Sequence, residues 1–234
     1  MSTKGRGGGV ALKLYLGLLR RSSAPPYDTR LSARRWAGLL ALDDPARSGA
    51  RRITDSFRRL ENLGLIEVTA SRGEPSLITL LCEDASRAPY TPPSAPPQKV
   101  QNRYLQIPDI IWRGYIQRMT APGLAMLLIV LAEPESRAAG MWWSIENFPT
   151  WYKISPSMRA KGTKELQQLE LLRVKKQMLD TPRGGNGDAR DRVRNLYFFT
   201  DPTPPADTED NGTETTRHIG AKAKVKVKGS QKIS

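Results

Sequence analysis

Residues 154–176 read ISPSMRAKGTKELQQLELLRVKK, and a change of period inside them decides the fold. After a Ser155-Pro156 start signal, Met158, Gly162, Leu166 and Leu169 recur at spacings of 3 and 4, which predicts a helix from Ser157 with that side buried. Ser157, Ala160, Lys161, Lys164 and Gln168 fall roughly opposite. They make a surface of small, amide and cationic groups suited to phosphates and base edges. From there the pattern changes to that of a strand: Leu171, Leu172 and Val174, with Arg173, Lys175 and Lys176 interleaved. A second strand, Val193 to Phe199, returns after the segment 181–188, TPRGGNGD, which is too rich in turn formers to be regular.

The same grammar occurs earlier in the chain. Residues 60–68, LENLGLIEV, align without gaps on residues 166–174, LQQLELLRV, at an offset of 106 residues. Leucines then coincide at the helix positions and apolar pairs at the strand entry. Leu77 to Leu81 would correspond to Leu196 to Phe199 as the returning strand. A repeat this long implies duplicated domains rather than a short-period solenoid. Helix, strand, basic loop and strand form the core of a winged helix-turn-helix. The expected fold is therefore α+β, with two winged-helix domains in tandem.

Residues 1–9 are Gly-rich and expected to be a flexible arm, followed by a first domain over 10–82. Its first helix runs from Val10 to Arg21. A second starts at an Ser32 cap and extends to Leu42 with Trp36, Leu39 and Leu40 inward, and a third spans Ala46 to Leu63. Ile53, Phe57, Leu60 and Leu63 make the third helix's apolar stripe, with Arg47, Arg51, Asp55, Arg58 and Asn62 opposite. Glu67 to Ala70, a turn over 71–75 and Ser76 to Leu81 complete a short wing. Five prolines in residues 83–98 mark a semi-rigid linker. The second domain, 99–200, opens with an extended segment at Tyr104 to Ile107. Helices from Pro108 to Met119 and from Pro122 to Ala132 follow, then a short strand at Met141 to Trp143 and a helix from Ser144 to Tyr152. Residues 201–234 are expected to be a disordered tail, basic at its end.

The net charge is +14. Residues 1–82 hold 14 basic and 7 acidic side chains, and residues 98–200 hold 16 and 9, so each half carries +7. A basic balance shared by both halves favours a polyanion, here double-stranded DNA. Cys82 and His218 are the single cysteine and histidine, which excludes a disulfide framework, a Cys/His zinc cluster and a Cys-His catalytic pair within one chain. No phosphate-cradling G-x-x-x-x-G-K-[ST] loop occurs, and Gly184-Gly185-Asn186-Gly187 reads as a wing turn. Neither catalytic residues, a metal nor a cofactor is expected, and the protein is read as a non-enzyme. The longest apolar run, Leu124 to Ala132, has nine residues, against the roughly 20 needed to cross a bilayer. Lys13 interrupts the first apolar segment, so no signal pattern follows Met1, and a cytoplasmic location without a membrane partner is expected.

At Trp112-Arg113-Gly114, Ser155 to Leu172 and Arg192-Val193-Arg194-Asn195 the chain resembles the winged-helix DNA-binding proteins of bacterial plasmids and other mobile elements. It resembles more loosely the two-winged-helix plasmid replication initiators. The resemblance implies sequence-specific duplex binding in replication initiation or transcription regulation. Ser157, Lys161, Lys164 and Gln168 would then face the major groove. Arg173, Lys175, Lys176, Arg183, Arg190 and Arg192 would follow the backbone or enter the minor groove. In the first domain the corresponding residues are Arg47, Arg51 and Arg58. That domain departs from the pattern in its short wing, and it could instead pair with a second copy as a homodimer. The alternative reading is a protein-interaction or scaffold module whose basic faces are incidental.

Overall fold

Val10, Leu14 and Leu18 recur every four residues, and burial of that stripe with Leu16 and Leu19 forms α1 (Gly8–Arg21). The computed structural model describes residues 8–92, 104–133, 139–179, 192–202 and 224–226. It is α+β, with small antiparallel sheets. Its contacts divide the chain into two compact units, Met1–Ala121 with Pro204–Ser234, and Pro122–Thr203.

In the first unit α1 is followed by β1 (Asp28–Arg30), α2 (Ala33–Leu39), α3 (Ser48–Asn62), β2 (Ile66–Thr69) and β3 (Leu77–Leu80). The three strands form one sheet in the order β1-β3-β2, with Ile66 opposite Leu80 and Thr29 opposite Ile78. Leu14, Trp36, Ile53 and Leu60 from the helices meet Ile66, Ile78 and Leu80 from the sheet in one core. The helix boundaries are tighter than the spacing suggests. Ser32 caps α2, its Oγ accepting from the Arg35 amide at 3.3 Å, but the helix stops at Leu39 rather than Leu42. Leu39 is 52% exposed, not inward, because the Trp36–Leu40 pair already fills the buried stripe. Leu63, expected in the stripe of α3, is that helix's C-cap and is 51% exposed.

β4 (Tyr104–Gln106) and α4 (Asp109–Gly114) belong to this unit, whereas the sequence assigns them to the second domain. The reason is polar as well as apolar. Arg20 Nη2 of α1 donates to Asp109 at 2.5 Å, Lys13 Nζ donates to the Gln117 carbonyl at 2.7 Å, and Gln117 Nε2 donates to the Leu39 carbonyl at 3.0 Å. The helix expected to reach Met119 ends at Gly114 and continues as turns that still bury Ile116 and Met119. α1 begins at Gly8, inside the arm expected over 1–9, and residues 1–7 lie outside the described residues. Within the tail, β7 (Lys224–Lys226) pairs antiparallel with β4, Leu105 opposite Val225. The alternation of lysine with small apolar residues is a strand period, and β4 presents free backbone groups for it.

The second unit runs α5 (Ala121–Ala132), α6 (Asn147–Tyr152), α7 (Pro156–Gln168), β5 (Leu172–Leu179) and β6 (Arg192–Phe199). The expected strand at Met141 to Trp143 reduces to one bridge, Met141 opposite Tyr197. Ser144 does not directly cap α6. Its Oγ accepts from the Glu146 and Asn147 amides at 3.2 and 3.4 Å, a local turn that delays the helix to Asn147. Pro149 follows in the first turn, where no amide is needed. Phe148, Leu124, Leu127 and Leu166 close the core against Leu172, Tyr197 and Phe199.

The run α2, α3, β2, β3 of the first unit and the run α6, α7, β5, β6 of the second share their order and much local geometry. α3 and α7 end alike: the amide of Leu65 donates to the carbonyl of Leu60 at 3.0 Å, and that of Leu171 to Leu166 at 2.9 Å. β2 and β5 start 106 residues apart, at Ile66 and Leu172, and these residues face Leu80 and Phe199. Earlier in each unit the offset is 112 residues. Thr29 pairs with Ile78 as Met141 does with Tyr197. Buried Leu31 and Trp143 come next, then Ser32 and Ser144, then buried Trp36 and Phe148. The offset changes because the connection from Leu39 to Ser48 is longer than that from Tyr152 to Pro156.

Candidate nucleic-acid interface

Ser155 starts α7 by accepting from the Met158 amide at 3.3 Å, and Pro156 occupies the first turn with its φ preset for a helix. Gly162 and Leu166 are buried. A Cβ on Gly162 would collide with the Pro122 carbonyl and with Met126, so α7 approaches α5 closely along this side. That contact fixes the opposite face outward. Ser157, Lys161, Lys164 and Gln168 are all exposed on it, together with Ala160 and Gln167. Among the described residues, neither lysine forms an ion pair with a carboxylate.

The hairpin does not bring its basic residues to one face. Cross-strand pairs set the sides: Leu172 with Phe199, Val174 with Tyr197 and Lys176 with Asn195 share the face that carries the core. Arg173 with Phe198, Lys175 with Leu196 and Gln177 with Arg194 share the other. Lys176 therefore extends the side that packs on the helices. Arg173 and Lys175 flank the Phe198 ring, each 5.7 Å from its centroid, on the outer side. Arg192 opens β6 opposite Leu179. Arg183 and Arg190 lie outside the described residues.

Between α7, the residues that follow the Met141 bridge, and β6 lies a cleft of about 690 Å³. Lys164, Arg159 and Arg194 line it, and no aspartate or glutamate does. Arg159 is half-buried in an aromatic basket, its guanidinium 4.2 Å from the Phe148 centroid and 5.6 Å from those of Trp143 and Tyr197. It donates to the Tyr197 hydroxyl at 3.1 Å. Arg194 stands 5.1 Å from the centroid of Trp142, which is 52% exposed. Sequence reasoning missed Arg159 and Trp142. Arg159 sits three positions before Gly162, on the flank of the buried stripe, and Trp142-Trp143 places two indoles side by side in the connection. Both signals are visible in hindsight, but neither says which tryptophan turns outward.

The first unit has a cleft of about 630 Å³ at the equivalent place, lined by Ser32, Arg58, Glu61 and Glu74 among others. Its charges are largely spent internally. Arg58 pairs with Asp55 at 3.6 Å, Arg30 with Glu74 at 3.1 Å, and Glu61 Oε1 accepts from the Val68 amide at 3.2 Å. Arg51 and Arg58 are exposed on α3, and Arg47 is its N-cap residue, without a side-chain cap bond. The short turn offers Arg72, exposed beside Gly73.

Among the described residues no cluster of His, Cys, Asp or Glu is arranged to hold a metal, and no helix is long and apolar enough to cross a membrane. The Asp109 carboxyl is held below its ordinary range, chiefly by the hydrogen bond from Arg20 and then by Arg113. Burial pushes the hydroxyls of Tyr15, Tyr90 and Tyr152 up, which keeps all three neutral. No protein-family model, curated protein or solved structure matches the chain.

Proposed function

We propose that the chain is a sequence-specific duplex DNA-binding protein made of two winged-helix units, acting as a replication initiator or transcriptional regulator. The observation that carries this reading is the exposed face of α7, where Ser157, Lys161, Lys164 and Gln168 stand together. The lysines supply phosphate attraction, and Lys and Gln at successive helical turns are the side chains that reach base edges in a major groove. The recurrence of two helices followed by a hairpin in both units supports the same reading, as does the net charge of +14. Selection of bound duplexes from a random pool, followed by footprinting, tests it. A recovered motif with a bounded footprint is expected, and equal affinity for every duplex would sink it.

A second reading fits the first unit alone. Its cleft is lined by Arg58 against Glu61 and Glu74, without the excess of cations of the second, and this favours a protein-contact role there, including self-association. Salt separates the two. Phosphate binding weakens steeply with salt, and an apolar interface does not.

A further inference from the structure

The second unit differs from the first at two positions that duplex binding by α7 leaves unused. Trp142, 52% exposed, stands where the first unit has Arg30, and Ile145, 79% exposed, where it has Ala33. In the first unit Arg30 is tied to Glu74 and Ser71. In the second, the indole is open to solvent and carries the Arg194 guanidinium 5.1 Å from its ring centre. Val193, 50% exposed, lines the same cleft. Exposing an indole and two branched aliphatics wastes burial free energy unless something covers them.

We infer that this cleft binds an unpaired nucleotide of single-stranded DNA, with the base stacked on Trp142 beside Ile145 and its phosphate held by Arg194 and Lys164. Charge selects this occupant over an apolar peptide or a second copy. The cleft is lined by three cations and no carboxylate, and the chain as a whole is basic. An aromatic plane next to cations is the combination that holds single strands without regard to sequence, because every base offers a π face. The chain would then engage paired and unpaired DNA through adjacent parts of one unit: the lysine face of α7 for duplex, and the Trp142 side of the cleft for a separated strand. The inference rests on nucleic acid being the partner, but not on duplex sequence preference.

The test compares the full chain with Trp142→Ala and Trp142→Phe, using an oligothymidylate of about 20 nucleotides and a duplex of similar length closed at both ends by hairpins. Trp142 is exposed, so both variants should keep the parent thermal transition. Trp142→Ala is expected to weaken single-strand binding roughly 5- to 100-fold and to change duplex affinity less than about 3-fold, with Trp142→Phe recovering most of the loss. Absence of single-strand binding by the parent chain, or an equal loss on both DNAs, overturns the proposal. So does a change of oligomeric state in Trp142→Ala with single-strand affinity intact, which would make the patch a self-interface. If duplex selection yields no motif while the Trp142-dependent single-strand binding persists, the duplex reading fails and this one stands.

Discussion

Gly64 and Glu170 occupy the same step in the two units, each at positive φ, +70° and +58°, directly after the C-cap of a helix and two residues before a strand. The hydrogen bonds around them match as well: Gly64 donates to Glu61 at 2.9 Å, and Glu170 to Gln167 at 3.1 Å. The left-handed conformation costs a residue with a Cβ about 1 kcal/mol that glycine avoids. The second unit therefore carries local strain in the turn between α7 and β5. Glu170→Gly is expected to stabilise that unit by about 0.5–1 kcal/mol, and Gly64→Ala to destabilise the first by about 1 kcal/mol. Urea unfolding followed by probes in each unit checks both. A loss of stability in Glu170→Gly would mean that the Glu170 side chain supplies a compensating contact.

Gly162 tests the close approach of α7 to α5. Alanine is the better helix former by nearly 1 kcal/mol, and on an open face the substitution would stabilise. Here the added methyl meets the Pro122 carbonyl, backbone that cannot swing aside, as well as the Met126 side chain. Gly162→Ala is therefore expected to cost about 1–3 kcal/mol net, read as a lower thermal midpoint for the second unit. An unchanged or higher midpoint would show that the two helices are not in tight contact.

Much of this architecture is legible in the sequence because it rests on local rules. Ser32 and Ser155 announce helix starts by their hydroxyls, and the leucines at 60 and 166 mark helix ends that share one geometry. The exposed set on α7 follows from the burial of Gly162 and Leu166 alone. What spacing could not supply depends on partners distant in the chain. Arg20 and Lys13 draw residues 109 and 117 into the first unit, across a proline-rich stretch that reads as the boundary. Strand register likewise decides which hairpin cations share a face, and a run such as Arg173, Lys175, Lys176 carries no trace of it. Leu39 and Leu40 are equally apolar, yet the core admits the second and leaves the first in solvent.

Asp109 gives the first unit an acid-sensitive tie. Its carboxylate accepts from Arg20 at 2.5 Å and from Arg113 Nε at 2.6 Å, and these partners lower its pKa below the ordinary value of 3.8. A carboxyl whose folded pKa is depressed contributes stability above its unfolded pKa and loses that contribution as pH falls through the folded value. The effect is therefore full at neutral pH and fades below about pH 4. Both groups are partly exposed, so its size should stay within about 1 kcal/mol. Asp109→Asn is expected to be less stable than the parent chain at pH 7 and to converge on it as pH falls below about 4. A difference that persists unchanged at low pH would assign the effect to packing rather than charge.

The two faces of the β5–β6 hairpin make the last prediction. If duplex DNA lies along α7, Lys176 shares its side, while Arg173 and Lys175 point to the other side of the sheet. Lys161→Ala and Lys164→Ala should each cost roughly 1–3 kcal/mol on the preferred site and much less on unrelated duplexes, since base contacts carry the preference. Lys176→Ala should weaken all duplexes alike and reduce the slope of log affinity against log salt by about 0.9, the value of one phosphate contact. Arg173→Ala and Lys175→Ala should do neither beyond the small long-range effect of a lost charge. The comparison needs only binding curves at several salt concentrations for five single variants. Should Arg173 and Lys175 prove to govern the salt slope while Lys176 does not, the DNA would have to run along the outer side of the hairpin. The exposed lysines of α7 could not then be its reading face.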